Sequence, residues 1–118
     1  DTWPKMGEDW IPPGLLMIKP IWRNFFDNAV TVHFLHRNTA WIVAGLAVLL
    51  MVLAWRYDAP GPTKLASLVI LLLTLIQFTL GVVTVTHGVP IVWAVLHQTG
   101  AVLLLAASIH YLHMHRRP

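Results

Sequence analysis

Seven histidines stand in a chain that is otherwise poor in reactive groups. Of its 118 residues 57% are hydrophobic and 11% charged, and none is cysteine. Without cysteine there are no disulfides, zinc–thiolate sites or iron–sulfur clusters. His36 and His97 stand out because each belongs to a long apolar segment. A ligating side chain in such a segment is costly to bury in lipid and is therefore a functional candidate. Two neutral imidazoles opposed at one depth can ligate an iron from both axial sides. They can also hold a transition metal or relay protons, and the spacing leaves these chemistries open.

The neighbours of the pair suit a flat, bulky ligand. Ala40, Ala44 and Ala47 follow His36 at helical spacing, and Ala94, Gly100 and Ala101 accompany His97. A third segment offers Ser67, Thr74, Gln77, Gly81 and Thr84 on roughly one side. Small residues admit a helix or a macrocycle closely, and the polar ones can bond inside a bundle. The same stripes also serve ordinary helix packing. Arg37, beside His36, is a candidate partner for a haem propionate, or a snorkelling residue. Gln77, Gly81 and Gly100 complete the candidate binding set.

The other histidines are weaker candidates. His33 precedes His36 by three residues and shares its face, as an alternate ligand, a supporting group or an interfacial residue. His87 falls in a loop. His110, His113 and His115 cluster near the end, where a wet, basic tail is expected rather than a metal site. No carboxylate lies within a long apolar run, which argues against an ion pump. The net charge of +3 comes from scattered residues, so no nucleic-acid partner is expected.

These residues must be positioned by membrane helices. So short a chain cannot bury this much apolar surface within itself, so lipid is the expected solvent. Asn38 to Trp55 and Leu65 to His115 contain no Asp, Glu, Lys or Arg. The second run is long enough for two crossings, and His87-Gly88-Val89-Pro90 divides it. The spans are predicted at 28–56, 64–86 and 91–113. The fold class is thus all-α, a polytopic bundle, with 1–27 an outer interfacial segment and 28–118 the transmembrane part. Segment 1–27 holds four of the eight prolines and three of the six tryptophans, which suits the membrane–water interface. Leu15 to Ile18 is read as a short surface turn. The chain starts at Asp1 and shows no signal-peptide pattern, so it reads as a piece of a longer protein.

Thr2-Trp3-Pro4-Lys5-Met6-Gly7, Trp10-Ile11-Pro12 and Trp22-Arg23-Asn24-Phe25-Phe26-Asp27-Asn28 resemble the outer segment preceding the sixth helix of the haem A synthase family. Thr31 to Arg37, with its His36-Arg37 pair, resembles helix six. Gln77-Phe78-Thr79-Leu80-Gly81, Val89-Pro90 and His97-Gln98 with Ala101 resemble helices seven and eight. The likeness runs in order over nearly all of Asp1 to Leu105.

The resemblance implies an eight-helix membrane oxidoreductase of two similar four-helix halves. It converts haem O to haem A, C8 methyl to formyl, for terminal oxidase assembly. This chain would be three helices of the second half, with haem b between His36 and His97. The catalytic half and its essential glutamate would lie upstream, so this chain alone would not perform the oxidation and holds no catalytic residue. Implied partners are the haem O substrate, the lipid membrane and the other half of the same protein, with haem O synthase and an electron donor. The implied membrane is the bacterial plasma membrane or the mitochondrial inner membrane. His33 stands where the family commonly has glutamine. Two alternatives are a cytochrome b subunit that only transfers electrons and a cofactor-free membrane anchor.

Arg56, Lys64, Arg116 and Arg117 fall on one membrane side, while the opposite loop around Gly88 has no Lys or Arg. The positive-inside rule therefore puts Gly88 outside, although Lys5, Lys19, Arg23 and Arg37 share that side. A cysteine at Gly88 will react with an impermeant thiol reagent from outside, and one at Gly61 will not. The reverse labelling would overturn this topology.

Overall fold

The computed structural model describes residues 2–116. After an irregular outer segment, a 3-10 turn at Ile21–Arg23 runs into the short helix α1 (Asn24–Asp27). Three long helices follow: α2 (Ala29–Arg56), α3 (Gly61–Thr86) and α4 (Ile91–His115). Each is long and apolar enough to cross a membrane, and the described residues contain no strand. The all-helical expectation holds.

Local chemistry sets the helix ends. Asn28 caps α2: its Oδ1 accepts from Val30 N at 3.1 Å and Thr31 N at 3.3 Å. α3 starts at Gly61, three residues before the predicted start, because Pro62 is tolerated in a first turn. α2 ends on Asp58, whose φ of 47° lies in the left-handed region, with Ala59 N bonding Ala54 O at 2.9 Å. Lys64 bonds the Asp58 carboxylate across this turn and holds its pKa below the usual carboxylate range. α4 starts directly after Pro90 and reaches His115, two residues past the predicted end. Arg117, assigned from sequence to the basic side, lies outside the described residues.

α3 is the central helix. It packs against both α2 and α4, whose backbones stay apart, so a groove runs between them that is bridged by side chains. Burial is inverted relative to a water-soluble bundle. The buried apolar residues are Ala47, Ala54 and Ile70, whereas Thr31, Thr63, Ser67, Thr74 and Thr84 are all buried. Large side chains such as Leu46, Leu72, Val102 and Leu105 point outward. With lipid outside there is no hydrophobic penalty for this, and small residues let the helices approach.

The outer segment is tied to the start of α2. Asn24, fully buried, donates to the carbonyls of Ile18 (2.7 Å) and Ile21 (2.8 Å). Its Oδ1 accepts from Ile18 N and from Asn28 Nδ2, each at 2.9 Å. Asn28 also donates to Gly14 O at 2.8 Å, and Leu16 N donates to Thr31 Oγ1 at 3.1 Å. The turn lies at 13–16, so Leu15 and Leu16 belong to it while Met17 and Ile18, expected in it, lie beyond it. Asn24→Ala strips four bonds from this knot. It is expected to cost about 2 kcal/mol or more in denaturant unfolding of the full-length protein. Limited proteolysis should then cut the outer segment first.

Candidate ligand site between the facing histidines

His36 is the eighth residue of α2 and His97 the seventh of α4, and the two helices run from the same end of the bundle. Their rings face each other across the groove, centroids 6.0 Å apart and planes at 83°. Equal depth along the two helices predicts this meeting.

α3 fixes one ring. His97 Nδ1 lies 3.1 Å from the carbonyl oxygen of Gln77, which can only accept, so Nδ1 carries the proton and donates. In the neutral ring Nε2 is then the unprotonated nitrogen, free to ligate. A histidine ligand typically has such a backbone partner, which sets tautomer and orientation. The Gln77 side chain returns the contact, its Nε2 donating to His97 O at 2.6 Å. The two residues lock α3 to α4 in both directions.

Two glycines make the lock possible. A Cβ at Gly81 would stand 2.9 Å from His97 Cε1. One at Gly100 would stand 2.2 Å from Gln77 Oε1. That oxygen is buried without a hydrogen-bond partner, packed against the Gly100 backbone.

The two rings open into a cavity of about 450 Å³, within the range of small-molecule and cofactor sites. α3 contributes Thr74, Gln77, Gly81 and Thr84 to its wall, and α2 contributes Ala40. Ser67 is fully buried elsewhere, and Ala47 lines a second, apolar cavity nearer the other end. Val89 closes part of the wall in a left-handed conformation, φ 58°, which a β-branched residue rarely adopts. Among the described residues no aspartate or glutamate lines the cavity.

Arg37 and His33 also line it, but toward each other: Arg37 Nε donates to His33 Nε2 at 3.1 Å. The other guanidinium nitrogens bond backbone carbonyls of the outer segment. The remaining histidines do not join. His87 is exposed and bonds Val83 O, and His115 bonds Tyr111 O on its own helix. No group of three or more His, Asp or Glu converges among the described residues.

Trp3 and Phe78 are cavity residues that sequence reasoning does not find. Composition places Trp3 with the interfacial tryptophans, but the structure seats it on Trp41 and Phe78 beside the histidines. Its signal, a Trp-Pro pair near Asp1, does not specify a contact nearly forty residues away.

Fold and site together define a polytopic helical membrane protein with two facing histidines lining a cavity between its helices. The sequence model of the cytochrome oxidase assembly protein family matches residues 1–109, and the chain belongs to that family. It is 39% identical over 117 residues to the heme A synthase of Nitrosospira multiformis, covering 99% of this chain and 33% of that one. It is 38% identical over 117 residues to the heme A synthase of Paracoccus denitrificans, covering 98% of this chain and 30% of that one. The chain thus spans about a third of the length of these relatives. No solved structure matches it.

Gly100→Ala should displace the Gln77 amide and cost about 1–2 kcal/mol of stability. Adding Gln77→Ala removes the clash, so the double variant should be no less stable than Gln77→Ala alone. Additive losses in denaturant unfolding would show that the two residues do not meet.

Proposed function

We propose that this chain is the electron-transfer part of a haem A synthase and holds haem b between His36 and His97. The observation that carries the reading is the facing pair, with one ring held through Nδ1 by the Gln77 carbonyl so that its Nε2 is left to ligate. A metal–imidazole bond of about 2 Å and a ring radius of about 1.1 Å put two imidazoles on one ion with centroids about 6 Å apart. The separation of 6.0 Å fits one ion between them. Two protein donors without a third suit a metal whose other positions are filled by a macrocycle.

In this reading His36 and His97 would hold the haem iron, and Gln77 orients His97. Gly81 keeps the ring edge uncovered, and Gly100 admits the Gln77 amide. Arg37 acts on the cavity through the outer segment. Haem b would supply one-electron transfer, since both axial positions are taken by histidine. Among the described residues the cavity is lined by no carboxylate that could serve as acid or base, and oxidation of the haem O methyl is assigned in this reading to the rest of the whole protein. The relatives' name, and their coverage of nearly all of this chain, favour a haem A synthase over a separate cytochrome b subunit. An electron donor and haem O synthase are the expected partners. A bacterial plasma membrane or a mitochondrial inner membrane is the expected location.

In the full-length protein, His36→Ala and His97→Ala should each abolish or convert a low-spin haem b component and let haem O accumulate in extracted haems. His33→Ala and His110→Ala should spare the haem spectrum. Equal loss from His33→Ala would move the ligand on α2, and unchanged spectra in His36→Ala and His97→Ala would end the reading.

A further inference from the structure

Arg37 is a buried cation, 8% exposed, with no carboxylate partner among the described residues. Its charge is met by carbonyl oxygens instead. Nη1 donates to Lys5 O at 2.6 Å and to Pro4 O at 3.3 Å, and Nη2 donates to Thr2 O. These partners lie 32 to 35 residues away in sequence, so the bonds do not stabilise α2 locally. They fasten a strap, Thr2–Lys5, across the bundle. A planar guanidinium can serve several carbonyls in one fork, which an ammonium cannot do.

Within the strap, Trp3 is held on several sides. It stacks on Trp41 with centroids 5.6 Å apart and planes at 19°. It meets Phe78 edge-on at 5.4 Å, and the Arg37 guanidinium lies 5.6 Å from its ring. The indole forms part of the wall of the His36–His97 cavity. A tryptophan serving only as an interfacial anchor requires none of these contacts. Trp41 and Phe78 come from α2 and α3, so Trp3 also bridges these two helices.

We propose that Trp3 is a contact residue of the macrocycle held between His36 and His97, and that Arg37 positions it by fastening the strap over the cavity. The inference rests on the haem reading above. It makes release of the bound group depend on lifting the strap. Arg37 is thus a positioning residue acting through Trp3, not a direct partner of the haem.

The test is the rate at which full-length protein loses haem to excess apomyoglobin, followed at the spectral component that His97→Ala removes. Trp3→Ala should speed the loss roughly tenfold or more, while Trp3→Phe, keeping an aromatic face, should stay closer to wild type. Arg37→Gln should speed it similarly. The double variant Trp3→Ala/Arg37→Gln should be no faster than the faster single variant, because both act through one element. A wild-type rate in Trp3→Ala, or multiplied effects in the double variant, would overturn the proposal. If His97→Ala removes no spectral component, the coordination reading has failed instead.

Discussion

The reciprocal pair of hydrogen bonds between Gln77 and His97 is the constraint on which the site depends. In a membrane interior no water is available to satisfy a stray polar group, and each unmet group costs several kcal/mol. The pair meets that demand for the His97 Nδ1, the Gln77 Nε2 and two backbone carbonyls, and leaves Gln77 Oε1 unpartnered against Gly100. It sets the register of α4 on α3, orients the imidazole and selects its tautomer. Gly81 and Gly100 are the steric consequence: at each, a Cβ would collide with a member of the pair. The Gln77 carbonyl is the hydrogen-bond partner of the His97 ring, and Gly81 lies against the ring edge.

Polar knots also organise the outer end. Asn24 and Asn28 satisfy one another and the turn before α2, and Arg37 gathers the strap. Further along, α2 and α3 meet through Ala47, Ala54, Ser67 and Ile70, which have shape but little directionality. The specifying interactions thus concentrate around the histidine cavity. The lower groove, lined by Leu50, Leu53, Ile70 and Leu112 among others, is almost wholly apolar.

The spans were legible because lipid demands long uncharged runs, and proline and glycine punctuate them. The meeting of His36 and His97 was legible because depth can be counted from helix starts at a fixed rise. Gln77 and Gly81 could be named as cavity residues from one face of α3, whereas Gly100 on α4 does not line the cavity but abuts the Gln77 amide. The reciprocal bonding of Gln77 with His97 was not legible, because it depends on the rotation of α4 against α3. Arg37 shows the sharper limit. Its adjacency to His36 suggested a propionate, whereas its observed acceptors lie more than thirty residues upstream in a segment without periodicity. Trp3 escaped for the same reason: composition gave a plausible interfacial role, and only tertiary packing gives another. The early start of α3 at Gly61 reflects turn chemistry around Pro62, where an uncharged-run count from Leu65 has no resolution.

The central claim is that both histidines ligate one iron. Near-infrared magnetic circular dichroism of the oxidised full-length protein tests it most directly, because the charge-transfer band of low-spin ferric haem reports the axial ligand pair. Subtracting the His97→Ala spectrum from that of wild type isolates the site. The difference should contain a band at the bis-imidazole position, lost in His36→Ala as well. A difference band at a histidine–methionine position, or one that survives His36→Ala, would contradict the account.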